Sequence, residues 1–311
     1  MPFIYFLISL LIVIKGADLA LNYSTKISHS LRISPYLIGF LIVAFFSILP
    51  EMFIFILSNL EGNSSFGLAT IYGSNMADLT LIVAIVFLFS KNNIKIESKL
   101  IKDNSLYLII ALIPIIFGLN GHYSRIEGIV LILTFFLFYF FILKENKKNL
   151  SKVEIKEKTK SYKYFLLLPI SIGIIILGSH FTIKNGIKLA EIFNLNPIII
   201  SMFLVGLGTT LPELSFSVKA ARKNEDNLAL GDILGTVITD LTFVIGVASI
   251  IKPFYFNPRI IYITATFMIL SMAILFHFMK TGRIITKKET LFLFLLYLIF
   301  VITEFMVNSY F

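Results

Sequence analysis

The chain has 311 residues, 57% of them hydrophobic, with a mean hydropathy of +0.90 and a formal net charge of +9. That apolar content excludes a soluble domain of this length. The basic surplus lies between the apolar runs, which argues against a nucleic-acid partner, and the lack of cysteine excludes disulfides, thiolate metal sites and redox switching.

In chain order, ten apolar stretches are predicted to span a membrane: 3–24, 35–60, 65–90, 104–119, 124–143, 164–185, 196–220, 226–251, 259–279 and 290–309. Each is near the ~20 residues that a crossing helix needs. The first has no basic residue before it and no small-residue cleavage site, so it reads as a retained helix and not as a signal peptide. With the N-terminus outside, 21 of the 27 Lys and Arg residues fall in loops of the inner side. They include Lys26 and Arg32, eight lysines from Lys144 to Lys163, and Lys219, Arg222 and Lys223. The protein is expected in the plasma membrane, and this asymmetry predicts both termini outside and residues 144–163 in the cytoplasm. The 144–163 stretch reads as a basic linker between a first five-helix unit, 1–143, and a second, 164–311.

The two units repeat one another. Gly16 to Thr80 aligns with Gly178 to Thr242 at a constant offset of 162, with Pro50/Pro212, Glu51/Glu213, Gly73/Gly235 and Asp78/Asp240 in step. Five helices per unit is an odd number, so the second unit enters the membrane from the opposite side. The expected fold is therefore an all-α polytopic membrane protein of about ten transmembrane helices in two inverted five-helix repeats. Carboxylates duplicated inside apolar segments mark a transporter with its site between the halves.

The second and seventh spans carry Ser47-Ile-Leu-Pro-Glu51 and Thr209-Thr-Leu-Pro-Glu213. A mid-span proline removes one backbone donor, so these helices are expected to break and to leave carbonyls near 43–46 and 205–208 without intrahelical partners. Unpaired carbonyls at membrane depth are tolerated where they line a cavity. A hydroxyl lies four residues before each carboxylate, on one helical face: Ser47/Glu51, Ser74/Asp78, Thr209/Glu213 and Thr236/Asp240, with Thr210 three before Glu213. Oxygen-only ligands favour a hard cation, and a cavity shared by four helices suits Ca²⁺ better than Mg²⁺, with Na⁺ of similar size.

Gly208-Thr-Thr-Leu-Pro-Glu213, Ser47-Ile-Leu-Pro-Glu51, Gly73-Ser-Asn-Met-Ala-Asp78 and Gly235-Thr-Val-Ile-Thr-Asp240 resemble the two α-repeats of prokaryotic Na⁺/Ca²⁺ exchangers, in the cation/Ca²⁺ exchanger superfamily. The resemblance covers nearly the whole chain. It implies a non-enzymatic antiporter that works as a monomer in the lipid bilayer, with Ca²⁺ and Na⁺ as transported ions and no covalent cofactor. It also implies that Glu51 and Glu213 are the central shared ligands. Ser47, Ser74, Thr209, Thr210, Thr236, Asp78 and Asp240, with the Ala44 and Gly206 carbonyls, complete the sites. The first and sixth helices then slide across the core to alternate access.

This chain departs from the family pattern at Phe46 and Ile48, where the family has glycine and serine, so one hydroxyl is lost opposite Thr210. Asp78 and Asp240 are both acidic, where many relatives have Asn. Four close carboxylates cannot all ionise cheaply, so protons are expected to compete with or partly replace Na⁺. An H⁺/Ca²⁺ exchanger and a degenerate cation-binding protein without Na⁺ coupling are the alternatives; an intramembrane aspartyl protease using Asp78 and Asp240 would have no reason to duplicate Pro-Glu. Outside the quartet, Lys15, Asp18 and Glu304 read as groups that snorkel at helix ends or pair locally. Asp232, whose counterpart is Thr70, reads as a polar packing contact, and Asn75 and Thr239 as helix bridges.

Overall fold

The structure, a computed structural model, describes residues 2–28, 44–89, 105–146, 162–222, 226–281 and 286–308. The 35–43 part of the second predicted span and most of the 144–163 linker lie outside these residues. So does the side chain of Phe46.

Long apolar runs without Gly-Pro punctuation fold as helices, because in lipid every backbone group must be satisfied within its own segment. The first helix, α1, is Pro2–Ser28. The second, α2, has two pieces, Ala44–Ser47 and Leu49–Leu60. The third, α3, runs from Ser64–Ala77 through a π-turn at Asp78–Ile82 into Val83–Phe89. Then come α4 (Ser105–Gly118), α5 (Arg125–Asn146) and α6 (Tyr162–Phe193). In α7, Pro197–Ile199 leads through a π segment, Ile200–Val205, to Gly206–Thr209 and Leu211–Arg222. The eighth, α8, is Asp226–Thr239, a π-turn at Asp240–Val244, then Ile245–Ile251. A π segment, Ile260–Ala265, and Thr266–Thr281 make α9, and Lys287–Asn308 is α10. Eight helices among the described residues are long and apolar enough to cross a membrane, and Leu49–Leu60 and Leu106–Gly118 are shorter apolar helices. The peripheral helices turn large apolar side chains outward, such as Leu137, Phe140 and Leu166, each about two-thirds or more exposed. That surface suits lipid and not water.

Helices α3 and α8 are the most enclosed. The first crosses α7 at Gly206–Thr209, and the second crosses α2 at Ala44–Ser47. A Cβ on Gly73 would collide with the Met202 carbonyl oxygen, so only glycine lets α3 and α7 approach this closely. Helices α1 and α6 pack along each other. There, Gly16 receives Ile175 and Gly178 receives Val13, contacts that exchange under the 162-residue offset. The apolar interior falls into two clusters. One gathers α1, α6, Phe66 of α3 and the faces of α2 and α7 beneath them, and the other gathers the remaining helices with the other faces of α2 and α7.

The loops after α2, α4 and α8 meet at one end of the bundle. The Asn59 amide donates to the Ala248 and Lys252 carbonyls at 3.1 and 2.8 Å and accepts from Ser64 at 2.9 Å. The Lys252 ammonium in turn donates to the carbonyls of Asn59 and Leu60. Strands β1 (His122–Tyr123) and β2 (Phe254–Tyr255) pair antiparallel beside them. The repeat also extends beyond its sequence limits. Ser124 with Glu127 caps α5, and Thr286 with Glu289 caps α10, the same reciprocal box 162 residues apart.

Candidate cation site

Each proline sits at the second position of a half-helix, where its missing N–H removes no intrahelical bond. The following residue, Glu51 or Glu213, therefore lies in the first turn, where the helix dipole favours a negative charge. The single residue at each break has nearly the same conformation: Ile48 at φ −72°, ψ −5° and Thr210 at φ −77°, ψ −6°. The breaks are narrower than the prolines alone suggest. The Ala44 carbonyl accepts from Ile48 N–H at 3.3 Å and from the Ser47 hydroxyl at 3.0 Å. The Gly206 carbonyl accepts from Thr210 N–H at 3.2 Å and from the Thr209 hydroxyl at 3.0 Å. These two carbonyls thus keep intrahelical partners, contrary to the sequence expectation, because proline at 50 or 212 withdraws a donor only from the carbonyl four residues back, at Phe46 or Gly208.

Asp78 and Asp240 each begin a π-turn. One extra residue in the turn shifts the register of the rest of the helix, and such turns recur at functional sites. Both lie one turn beyond Ser74 and Thr236, where α3 and α8 cross the broken helices. Gly206 packs against the backbone at Ser74, with an added Cβ only 3.1 Å from its nitrogen. On the other side the Ser47 and Thr236 hydroxyls meet at 3.2 Å.

Glu51, Asp78, Glu213 and Asp240 are all buried, at 1% exposure or less, and none of their eight carboxylate oxygens has a hydrogen-bond partner among the described residues. They are close enough for Glu51 to repel Asp78, Glu213 and Asp240. Thr209 stands beside Glu51 and Asn75 beside Asp240 without reaching hydrogen-bond geometry. The neighbouring hydroxyls do not serve as donors to the acids. Ser47, Ser74, Thr209 and Thr210 donate to carbonyls three residues back on their own helices, at 3.0 Å. Their lone pairs are left for an electron-poor ligand. No three acidic or imidazole side chains among the described residues converge on one point, so a cation here would draw further oxygens from hydroxyls and carbonyls.

Sequence reasoning underrated two residues. Asn75, expected to bridge helices, is fully buried, and neither of its amide atoms has a hydrogen-bond partner among the described residues. Asp232, expected to be a packing contact, accepts from Ser217 at 3.0 Å on one oxygen and has no partner among the described residues on the other. The signal available for Asn75 was the lack of a polar counterpart in register, Val237; for Asp232 it was the lack of an acidic one, since its counterpart is Thr70. Thr239 does bridge, to the Tyr139 hydroxyl at 2.9 Å. Glu304 pairs with the Thr264 hydroxyl at 2.5 Å and is buried, not snorkelled. Ile48 is buried in the main apolar cluster.

Fold and site together define an integral membrane protein with paired acids at a helix crossing. The chain belongs to the sodium/calcium exchanger protein family, which it matches over residues 1–144 and 163–306. It is 25% identical to the sodium/calcium exchanger MaX1 of Methanosarcina acetivorans, over 97% of this chain and 98% of that one. It is 27% identical to the putative antiporter CaxA of Alkalimonas amylolytica, over 80% and 81%. The fold is similar to that of the sodium-calcium exchanger NCX_Mj, with a TM-score of 0.70 at 23% identity over 96% of this chain and 98% of that one.

Proposed function

We propose that this protein is a secondary antiporter that exchanges Ca²⁺ for Na⁺ across the plasma membrane by alternating access. One observation carries the reading: four buried carboxylates without donors among the described residues stand among hydroxyls whose protons are committed to backbone carbonyls. Burying unpaired acids costs several kcal/mol each unless a counter-charge enters with them, and a cation supplies it. Glu51 and Glu213 are the central shared ligands. Asp78, Asp240, Ser47, Ser74, Thr209, Thr210 and Thr236 complete the sites, with the Ala44 and Gly206 carbonyls exchanging an intrahelical bond for the ion.

In this reading ten helices form two inverted five-helix repeats, 1–143 and 164–311, joined by a cytoplasmic linker, and one chain is sufficient for transport. Helices α1 and α6 are the moving pair. Their separate apolar cluster supports this, because a body that packs mainly on itself and on one face of its neighbours slides without opening the main core. The loops after α2, α4 and α8 meet at one end, as alternating crossings require; the basic residues of the other loops support an outside N-terminus.

Proton coupling is the second reading, favoured by Ile48, which offers an apolar chain where its counterpart Thr210 offers a hydroxyl. The test is uptake of radiolabelled Ca²⁺ into proteoliposomes loaded with Na⁺, with a pH gradient imposed separately. Na⁺-driven uptake that Glu213→Gln abolishes is the expected result. Uptake driven by the pH gradient alone would replace Na⁺ with H⁺, and uptake undiminished in Glu213→Gln would remove the site.

A further inference from the structure

Asp232 is fully buried, belongs to none of the groups assigned above, and leaves one carboxylate oxygen without a partner among the described residues. Its other oxygen accepts from Ser217, which is also fully buried. Both are displaced from the central site in the same direction. Ser217 lies one turn, ~6 Å, beyond Glu213 along α7, and Asp232 lies one turn, ~6 Å, before Thr236 along α8. Each step leads toward the α7–α8 connection, which follows a last turn of α7 that carries Lys219 and Arg222. Asp232 stays close enough to the centre to repel Asp78 and Glu213.

The fold does not need a charge at this place. In the first repeat the same two positions are Phe55 and Thr70. Phe55 packs in the apolar core against Phe254. Thr70 shares a 2.8 Å hydrogen bond with Ser201 and donates to the Phe66 carbonyl at 3.2 Å. Equivalent packing is thus achieved without an acid, and a carboxylate with an orphaned oxygen is an expensive substitute for it.

We propose that Asp232 and Ser217 form a cation station on the path between the central carboxylates and the α7–α8 face. It holds the transported divalent cation, still partly hydrated, since two protein oxygens fall far short of the ~6–8 that Ca²⁺ takes when stripped. The counterpart positions, Phe55 and Thr70, are packed in the core and offer no such station, so the two faces of the transporter differ in how they capture Ca²⁺.

This inference rests on the exchange reading, and its test separates the two. Ca²⁺ uptake would be measured with Ca²⁺ titrated at each face in turn, in liposomes of known protein orientation, for the unaltered protein, Asp232→Asn, Asp232→Thr and Ser217→Ala. Asp232→Asn is expected to raise half-saturating Ca²⁺ about tenfold at the α7–α8 face, the scale of one carboxylate acting on a hydrated divalent ion. The other face should stay within about twofold. Asp232→Thr should behave the same way, since threonine is the residue tolerated at the counterpart position, and Ser217→Ala should give a smaller shift at the same face. Equal shifts at both faces, or none at either, overturn the station while leaving exchange intact. Absence of uptake by the unaltered protein overturns the exchange reading and this inference with it.

Discussion

Replacing Gly73 with alanine probes the crossing on which the site depends. The new Cβ would collide with the Met202 carbonyl oxygen and lie 2.7 Å from its Cγ and 2.9 Å from its Cα. Two of these are backbone atoms that no rotamer change removes, so α3 and α7 must separate by about 1 Å to restore ordinary contact. Such overpacking costs about 1–3 kcal/mol, offset by up to about 1 kcal/mol from the better helix propensity of alanine. Gly173→Ala is the control, since an added Cβ there meets nothing within 4 Å. Thermal unfolding in detergent should place Gly73→Ala a few degrees below Gly173→Ala. Because Ser74 and Asp78 ride on α3, added Ca²⁺ should also stabilise Gly73→Ala less than the unaltered protein. Equal melting temperatures for the two variants, with equal Ca²⁺ responses, would refute the close crossing.

Asn59→Ala removes two donors and an acceptor that hold α8 to the turn after α2, leaving the Ala248 and Lys252 carbonyls short of a partner. A loss of about 1–3 kcal/mol is expected, measured by thermal unfolding; no change would mean that the clamp around Lys252 bears no strain. Ile48→Thr would reproduce the hydroxyl of Thr210 at the opposite break. Na⁺-driven Ca²⁺ uptake should rise in this variant, whereas unchanged uptake would assign the coupling to another ion.

The sequence by itself determined the membrane character, the approximate helices and the paired acids, because apolar length and a fixed 162-residue offset are properties of the chain alone. It also carried both capping boxes, Ser124-x-x-Glu127 and Thr286-x-x-Glu289, though they lie outside the obvious repeat. Tertiary structure decided what the polar groups face. Spacing puts Ser74 and Asp78 on one side of a helix, but only the crossing of α3 with α7 directs that side toward the second half. The hydroxyl protons could have pointed to the acids, and the fold turns them to the backbone. Asp232 and Glu304 both stood in sequence as acids outside the repeated quartet, without an acidic counterpart in the other repeat. Packing gives Glu304 a short bond to Thr264 and leaves Asp232 with an open oxygen, because a side chain's partners come from other helices and no local pattern encodes them.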